Sequence, residues 1–128
     1  MTQIDTDRLN AVTKKIIGCV FAVHNVLGSG FLEKVYERAL CIELEKAGLS
    51  VEAQKPVNVF YDKQLVGEFF ADILVEGKII LELKSVKSLT EAYAAQCINY
   101  LKATALPLCL LINFGGSRAE VKRFANTR

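Results

Sequence analysis

The sequence predicts an α/β (α+β) fold, a central mixed β-sheet flanked by helices, with elements in the order α-α-β-β-β-α-β-β. Three observations carry this. Apolar residues recur every three or four positions from about Leu9 to Leu27, a half-exposed helical charge pattern follows to about Ala47, and the period then changes to that of strands. A second helical stretch then leads into a nearly unbroken apolar run, Leu106-Pro107-Leu108-Cys109-Leu110-Leu111-Ile112. The chain has 128 residues, 52% of them hydrophobic, and a formal net charge of +2, so it can fill one core and is expected to form a single domain over residues 1–128. The same balance excludes intrinsic disorder.

Each element has its own signal. Leu9, Val12, Ile16, Val20, Val23 and Leu27 share one face of a first helix, which Gly28-Ser29-Gly30 stops. A second helix is expected from about Phe31 to Ala47, ended by Gly48. Val57–Tyr61, after Pro56, reads as a strand, and Asp62-Lys63-Gln64 as a turn. Val66–Val75, rich in aromatic and β-branched residues, is a longer strand. Glu76-Gly77-Lys78 turns it into Ile79–Lys84, and the three strands make an antiparallel meander. Ser88 and Glu91 have the spacing of a capping box opening a helix to about Ala103. The apolar run after it is a strand covered on both faces. Gly115-Gly116 marks a loop, and Val121-Lys122-Arg123-Phe124 a last edge strand.

Several classes of function drop out. No run of about eighteen apolar residues exists to span a membrane. The stretch Met1–Asp7 carries acids and no apolar segment of signal-peptide type, so a cytoplasmic location is expected. Cys19, Cys41, Cys97 and Cys109 are scattered, without a CxxC pair, and His24 is the single histidine. This spacing does not suit zinc, and reads as small buried hydrophobes. His24, the one histidine that a thiol nucleophile could use, lies in an apolar stretch and reads as structural. A pI near 8.3 is below that of a strongly basic nucleic-acid binder.

The informative residues are charges placed inside the core pattern. Strict alternation groups Asp72 with Val66, Glu68, Phe70 and Leu74, and puts Glu82 and Lys84 with Ile80 on one face of a central strand. Desolvating such groups is costly unless they are paired or hold a metal. Two carboxylates and a lysine at strand ends suit hydrolysis assisted by Mg2+, which takes oxygen ligands and acidifies bound water. Asp72 and Glu82 share a face only across an odd-length loop, such as Glu76-Gly77-Lys78; a two-residue turn would put them on opposite faces. An ordinary salt bridge among Asp72, Glu82 and Lys84 is the competing reading. Glu33 and Tyr36 lie one turn apart on the second helix, with Glu37 a like charge four residues after Glu33. Gln96 and Tyr100 are at i and i+4 on the third helix, with Tyr93 on the same face.

In order, Gly30-x-x-Glu33-x-x-Tyr36, Asp72, Glu82-x-Lys84 and Gln96-x-x-x-Tyr100 resemble the PD-(D/E)XK nuclease superfamily, and more narrowly the small prokaryotic GxxExxY family. The resemblance runs from about residue 8 to 125. It implies a restriction-endonuclease-like core with an α-β-β-β-α-β order, in agreement with the elements above. It implies Asp72 and Glu82 as ligands of Mg2+ (or Mn2+), Glu33 completing the metal site directly or through water, and Lys84 acting on the water or the scissile phosphate. Gln96 and Tyr100 match the glutamine–tyrosine motif of recombination-type exonucleases, which supports the active site and the substrate strand. Tyr36, Tyr100 and Lys87 are the candidate substrate contacts, with Lys102, Arg118, Lys122 and Arg123 as further cations near the cleft. Ala71 stands before Asp72 where the superfamily often has proline. The expected function is metal-dependent hydrolysis of phosphodiester bonds, in DNA rather than RNA, with a homodimer as one route to affinity. The alternatives are an inactive nuclease-fold module that binds nucleic acid or a protein partner, and a small-molecule hydrolase.

Overall fold

The structure, a computed structural model, describes residues 2–126; Met1, Thr127 and Arg128 lie outside it. Its elements are α1 (Gln3–Leu27), α2 (Glu33–Lys46), β1 (Val51–Tyr61), β2 (Gln64–Val75), β3 (Ile79–Lys84), α3 (Glu91–Thr104), β4 (Leu108–Asn113) and β5 (Glu120–Ala125). The strands form one sheet in the order β1-β2-β3-β4-β5. β3 and β4 run parallel, joined through α3, and the other neighbours are antiparallel.

Two apolar layers sandwich this sheet. Ile16 and Val20 of α1 and Tyr36, Leu40 and Leu44 of α2 pack with Ile79, Leu81, Leu110 and Ile112 on one face. Cys97, Tyr100 and Leu101 of α3 pack with Leu74, Ile80, Cys109 and Leu111 on the other. All six residues of β4 are buried, the two-faced burial expected of its apolar run. Burying each such leucine or isoleucine contributes about 1.5–3 kcal/mol, so the paired centre of the sheet anchors the strand ends that carry the charges.

Four details differ from the expectation. α1 begins at Gln3 rather than near Leu9, because Thr2 and Asp5 form a reciprocal capping box. α3 begins after Thr90, with no side-chain cap, so Ser88 does not cap it. β1 starts at Val51 and runs through Pro56, which an edge strand tolerates because an imide on its open side costs no ladder bond. The β1–β2 hairpin closes between Tyr61 and Gln64 on a two-residue turn, with Asp62 and Lys63 at φ 51° and 64°, the backbone of a type I′ turn.

The segment after β3 is clamped. The Asn113 carboxamide accepts the N–H groups of Val86 and Gly115 (3.0 and 2.9 Å) and donates to the Val86 carbonyl (2.9 Å). Phe114 N–H donates to the Lys84 carbonyl. A Cβ on Gly115 would run into the Val86 backbone. Gly115→Ala is therefore expected to destabilise the protein by about 1–3 kcal/mol through overpacking, read by denaturant unfolding.

The remaining polar groups of the core are structural. His24 Nε2 lies 3.0 Å from the Gly116 carbonyl, and its ring sits by Phe114. Cys19, Cys97 and Cys109 are buried and Cys41 half-buried, all as free thiols. Burial raises the Cys19 and Cys41 thiols above the usual range, and the bond to Cys97 together with burial raises Cys109, so none of these three is poised as a thiolate. Among the described residues, no helix is long and apolar enough to cross a membrane.

Candidate active site

Val75 pairs with Ile79, Leu74 with Ile80 and Ile73 with Leu81, across the three-residue loop Glu76-Gly77-Lys78. This is the odd-length register that a shared carboxylate site demands, and it sets Asp72 opposite Glu82. The backbone ladder ends at Ile73 and Leu81, and the two carboxylates take over from it. Leu83 N–H donates to Asp72 Oδ2 at 2.7 Å, and Asp72 N–H donates to Glu82 Oε1 at 3.2 Å. Each acid is thus fixed by a main-chain donor of the neighbouring strand.

The strand that carries Asp72 changes face there. Ile73 and Val75 point into the α1–α2 layer, while Ala71 and Leu74, three residues apart, both point into the α3 layer. The β1–β2 pairing likewise skips Gln54 and Asp72, and Gln54 has φ 53°. Strict alternation, which groups Phe70 with Leu74, is corrected by this irregularity: Phe69, not Phe70, contacts Tyr100 on the α3 side.

Glu82 is almost wholly buried. Burial first, then the Asp72 charge, push its carboxyl up to about 8. Burial also raises Asp72, against the opposing pull of the Leu83 hydrogen bond. Glu33, at the start of α2, is raised by burial and feels both Lys84 and Asp72. Lys84 acts favourably on all three acids, yet among the described residues it closes no ion pair within 4.0 Å; its Nζ sits 4.8 Å from the Tyr93 ring centroid. A salt bridge that merely neutralises the carboxylates is therefore not what is built.

The structure does not place every candidate in one cluster. Among the described residues, no three His, Cys, Asp or Glu groups converge closely enough to hold one ion. Glu33 stays at electrostatic range of Asp72 and Glu82. Asp72 and Glu82 alone still fit a hard cation, since Mg2+ is commonly held by one or two carboxylates plus water and substrate phosphate. Gln96 Nε2 donates to Tyr100 Oη at 3.2 Å, and the Tyr100 hydroxyl is raised by burial and then by the Glu82 charge. Lys87 and Lys102 are exposed, and Lys122 shares the α3 side of β5 with Phe124. Arg123 is corrected: it donates to Asn10 of α1, on the opposite layer.

Tyr36 is corrected too. It is fully buried, stacked on Phe114 at 4.4 Å between centroids, with its hydroxyl donating to the Gly28 carbonyl and accepting Phe31 N–H. A side chain in that position touches no substrate; it folds the Gly28–Phe31 turn that launches Glu33. Ser85 Oγ, donating to the Phe31 carbonyl at 2.8 Å, ties that turn to the end of β3. Tyr36→Phe is expected to cost about 1–2 kcal/mol in unfolding free energy while leaving substrate affinity unchanged.

Two residues of the site carry no clear signal in the sequence. Glu37 is buried and bound by Lys34 Nζ (3.0 Å) and Gln54 Nε2 (2.6 Å), and Gln54 also supports the ionised form of Asp72. The like-charge spacing of Glu33 and Glu37 is the one hint, and the partner that resolves it lies on β1.

A mixed sheet layered between helices, with an acid at a strand irregularity and Glu-x-Lys on the strand beside it, defines a restriction-endonuclease-like fold. The family model of the PD-(D/E)XK nuclease superfamily matches residues 10–124, and the chain belongs to that superfamily. The crystal structure of SSO0001 is similar in fold, with a TM-score of 0.55 and 16% identity over 73% of this chain. This chain spans 50% of that protein's length. No curated protein sequence matches the chain significantly.

Proposed function

We propose that this protein is a divalent-cation-dependent nuclease that hydrolyses phosphodiester bonds of DNA. One observation carries the reading: Asp72 and Glu82 stand side by side where the β2–β3 ladder opens, each fixed by a main-chain N–H, with the Lys84 ammonium beside them and not bound to either. The Glu33-x-x-Tyr36 and Gln96-x-x-x-Tyr100 spacings favour the GxxExxY family within the superfamily.

Asp72 and Glu82 would hold Mg2+ or Mn2+, which when bound supplies positive charge to acidify a water and to draw on the phosphate oxygens. Lys84, anchored against Tyr93, donates to a non-bridging phosphate oxygen or orients the attacking water as charge develops. Glu33, which feels both Lys84 and Asp72, would complete the site directly or through a bound water. Gln96 and Tyr100, bonded to each other on α3, would support the active site and the substrate strand, and Lys87, exposed in the loop after β3, can meet backbone phosphate.

The reading is tested by incubating the protein with linear, nicked, single-stranded and branched DNA in Mg2+ or Mn2+, against EDTA. Cation-dependent cleavage that disappears in Lys84→Ala is expected. Cleavage that persists in Lys84→Ala or in EDTA sinks the assignment. A second reading is a nuclease-fold module that binds without cutting; cation-independent DNA binding with no cleavage on any substrate is its signature.

A further inference from the structure

We propose that the groove between the β1–β2 arm and α3 seats an unpaired nucleobase, so that this protein engages single-stranded DNA beside its carboxylates. The inference rests on the nuclease reading for the choice of ligand, but on different residues for its evidence.

β2 pairs with β3 only over Ile73–Val75, so the hairpin from Lys55 to Ala71 leaves the sheet as a two-stranded arm. One side of that arm overhangs α3 and encloses a groove of about 820 Å³. That size suits a nucleotide-sized ligand. Its walls are aromatic: Phe60 and Phe69 line it, Phe69 is 48% exposed, and the Phe69 ring lies 6.1 Å from that of Tyr100 at an angle of 46°. Gly67 lets the Phe69 ring lie along the strand, since a Cβ there would stand 3.1 Å from Cε2.

The rim decides what fits. Asn58, Gln96 and Asn99 bring carboxamides to the groove, and Lys102 brings a cation. An apolar peptide could answer the amides with its main chain but brings no anion for Lys102. A base offers a π-face to Phe69 and donor and acceptor edges to the amides, while its phosphate answers Lys102. A paired base in a duplex cannot enter. The groove reaches toward the candidate site through Tyr100, which packs in one layer with Ala71 and Ile80, the first next to Asp72 and the second two residues from Glu82.

The test uses full-length Lys84→Ala protein in EDTA, with fluorescence anisotropy of a labelled oligothymidylate, the same oligonucleotide made abasic, and a duplex. The oligothymidylate is expected to bind about tenfold more tightly than the abasic strand, the scale of one stacked base. Adding Phe69→Ala should erase that difference, and Gly67→Ala, which only displaces the ring, should reduce it. Thermal melts confirm folding; Phe69 is half exposed, so its removal is tolerated. Equal affinity for normal and abasic strands, no binding of either, a preference for duplex, or a difference untouched by Phe69→Ala would each overturn the proposal. So would a dimer that Phe69→Ala converts to monomer, which would show a second copy covering the groove. Cleavage by the unmodified protein is scored separately. Base-dependent binding without cleavage removes the nuclease reading and keeps the groove; cleavage without base dependence does the reverse.

Discussion

Asp72→Asn is expected to lower DNA cleavage by at least two to three orders of magnitude while leaving the fold intact. The Asp72 carboxylate has two tasks that this change separates. It accepts the Leu83 N–H at 2.7 Å, which closes the gap where the β2–β3 ladder ends, and an asparagine carbonyl can accept the same bond. It also supplies negative charge beside Glu82, which the amide cannot. If the first task were the whole of its role, the variant would melt like the wild type and cut like it. If charge is the point, the melt is kept and cleavage is lost in single-turnover assays with saturating Mg2+ or Mn2+. Lys84→Met is the companion variant, because its apolar stem still packs on the Tyr93 ring while the ammonium is gone. Both should lose rate without losing affinity for oligonucleotide in EDTA. Full cleavage by Asp72→Asn would remove the carboxylate pair from the chemistry.

The parts of this fold that sequence alone reveals are those governed by local period. β4 is legible because two buried faces leave no place for polar residues, whereas the sequence leaves the loop at Glu76–Lys78 open between an odd length and a two-residue turn, and the strand pairing decides it. The start of β1 is hidden because Pro56 and the charges of Val51–Lys55 look unlike a strand, and only the open edge of the sheet makes them acceptable. The face change at Asp72 is invisible because it depends on Gln54, eighteen residues earlier, adopting a left-handed backbone. Tyr36 has the spacing of a surface contact, and its burial follows from Phe114, an element brought in by β4. Contacts between distant segments decide these points, and no single window of sequence contains them.

Glu82→Gln is expected to stabilise the cation-free protein above neutral pH and to abolish cleavage. The native Glu82 carboxyl, raised from 4.5 to about 8, keeps its proton over a range in which the unfolded chain has lost it. Between those values the native state binds more protons, so stability falls as pH rises, by up to about 1.4 kcal/mol per pH unit from this group. Below the unfolded value both states are protonated, and above about 8 both are ionised, so the slope is confined to that window. Asp72, also raised, tilts the lower end the same way. Glutamine keeps an acceptor for the Asp72 N–H and removes the titration. In EDTA the wild type should melt at progressively lower temperature from pH 5 to pH 8, and Glu82→Gln should show a flatter profile that crosses above it. Adding Mg2+ should reverse the comparison: the wild type gains most at pH 8, where the proton that competes with the cation is weakest, and the glutamine variant gains little. Parallel profiles in EDTA would mean that Glu82 titrates like an exposed glutamate. A Mg2+ response equal in both proteins would place the cation away from this carboxylate.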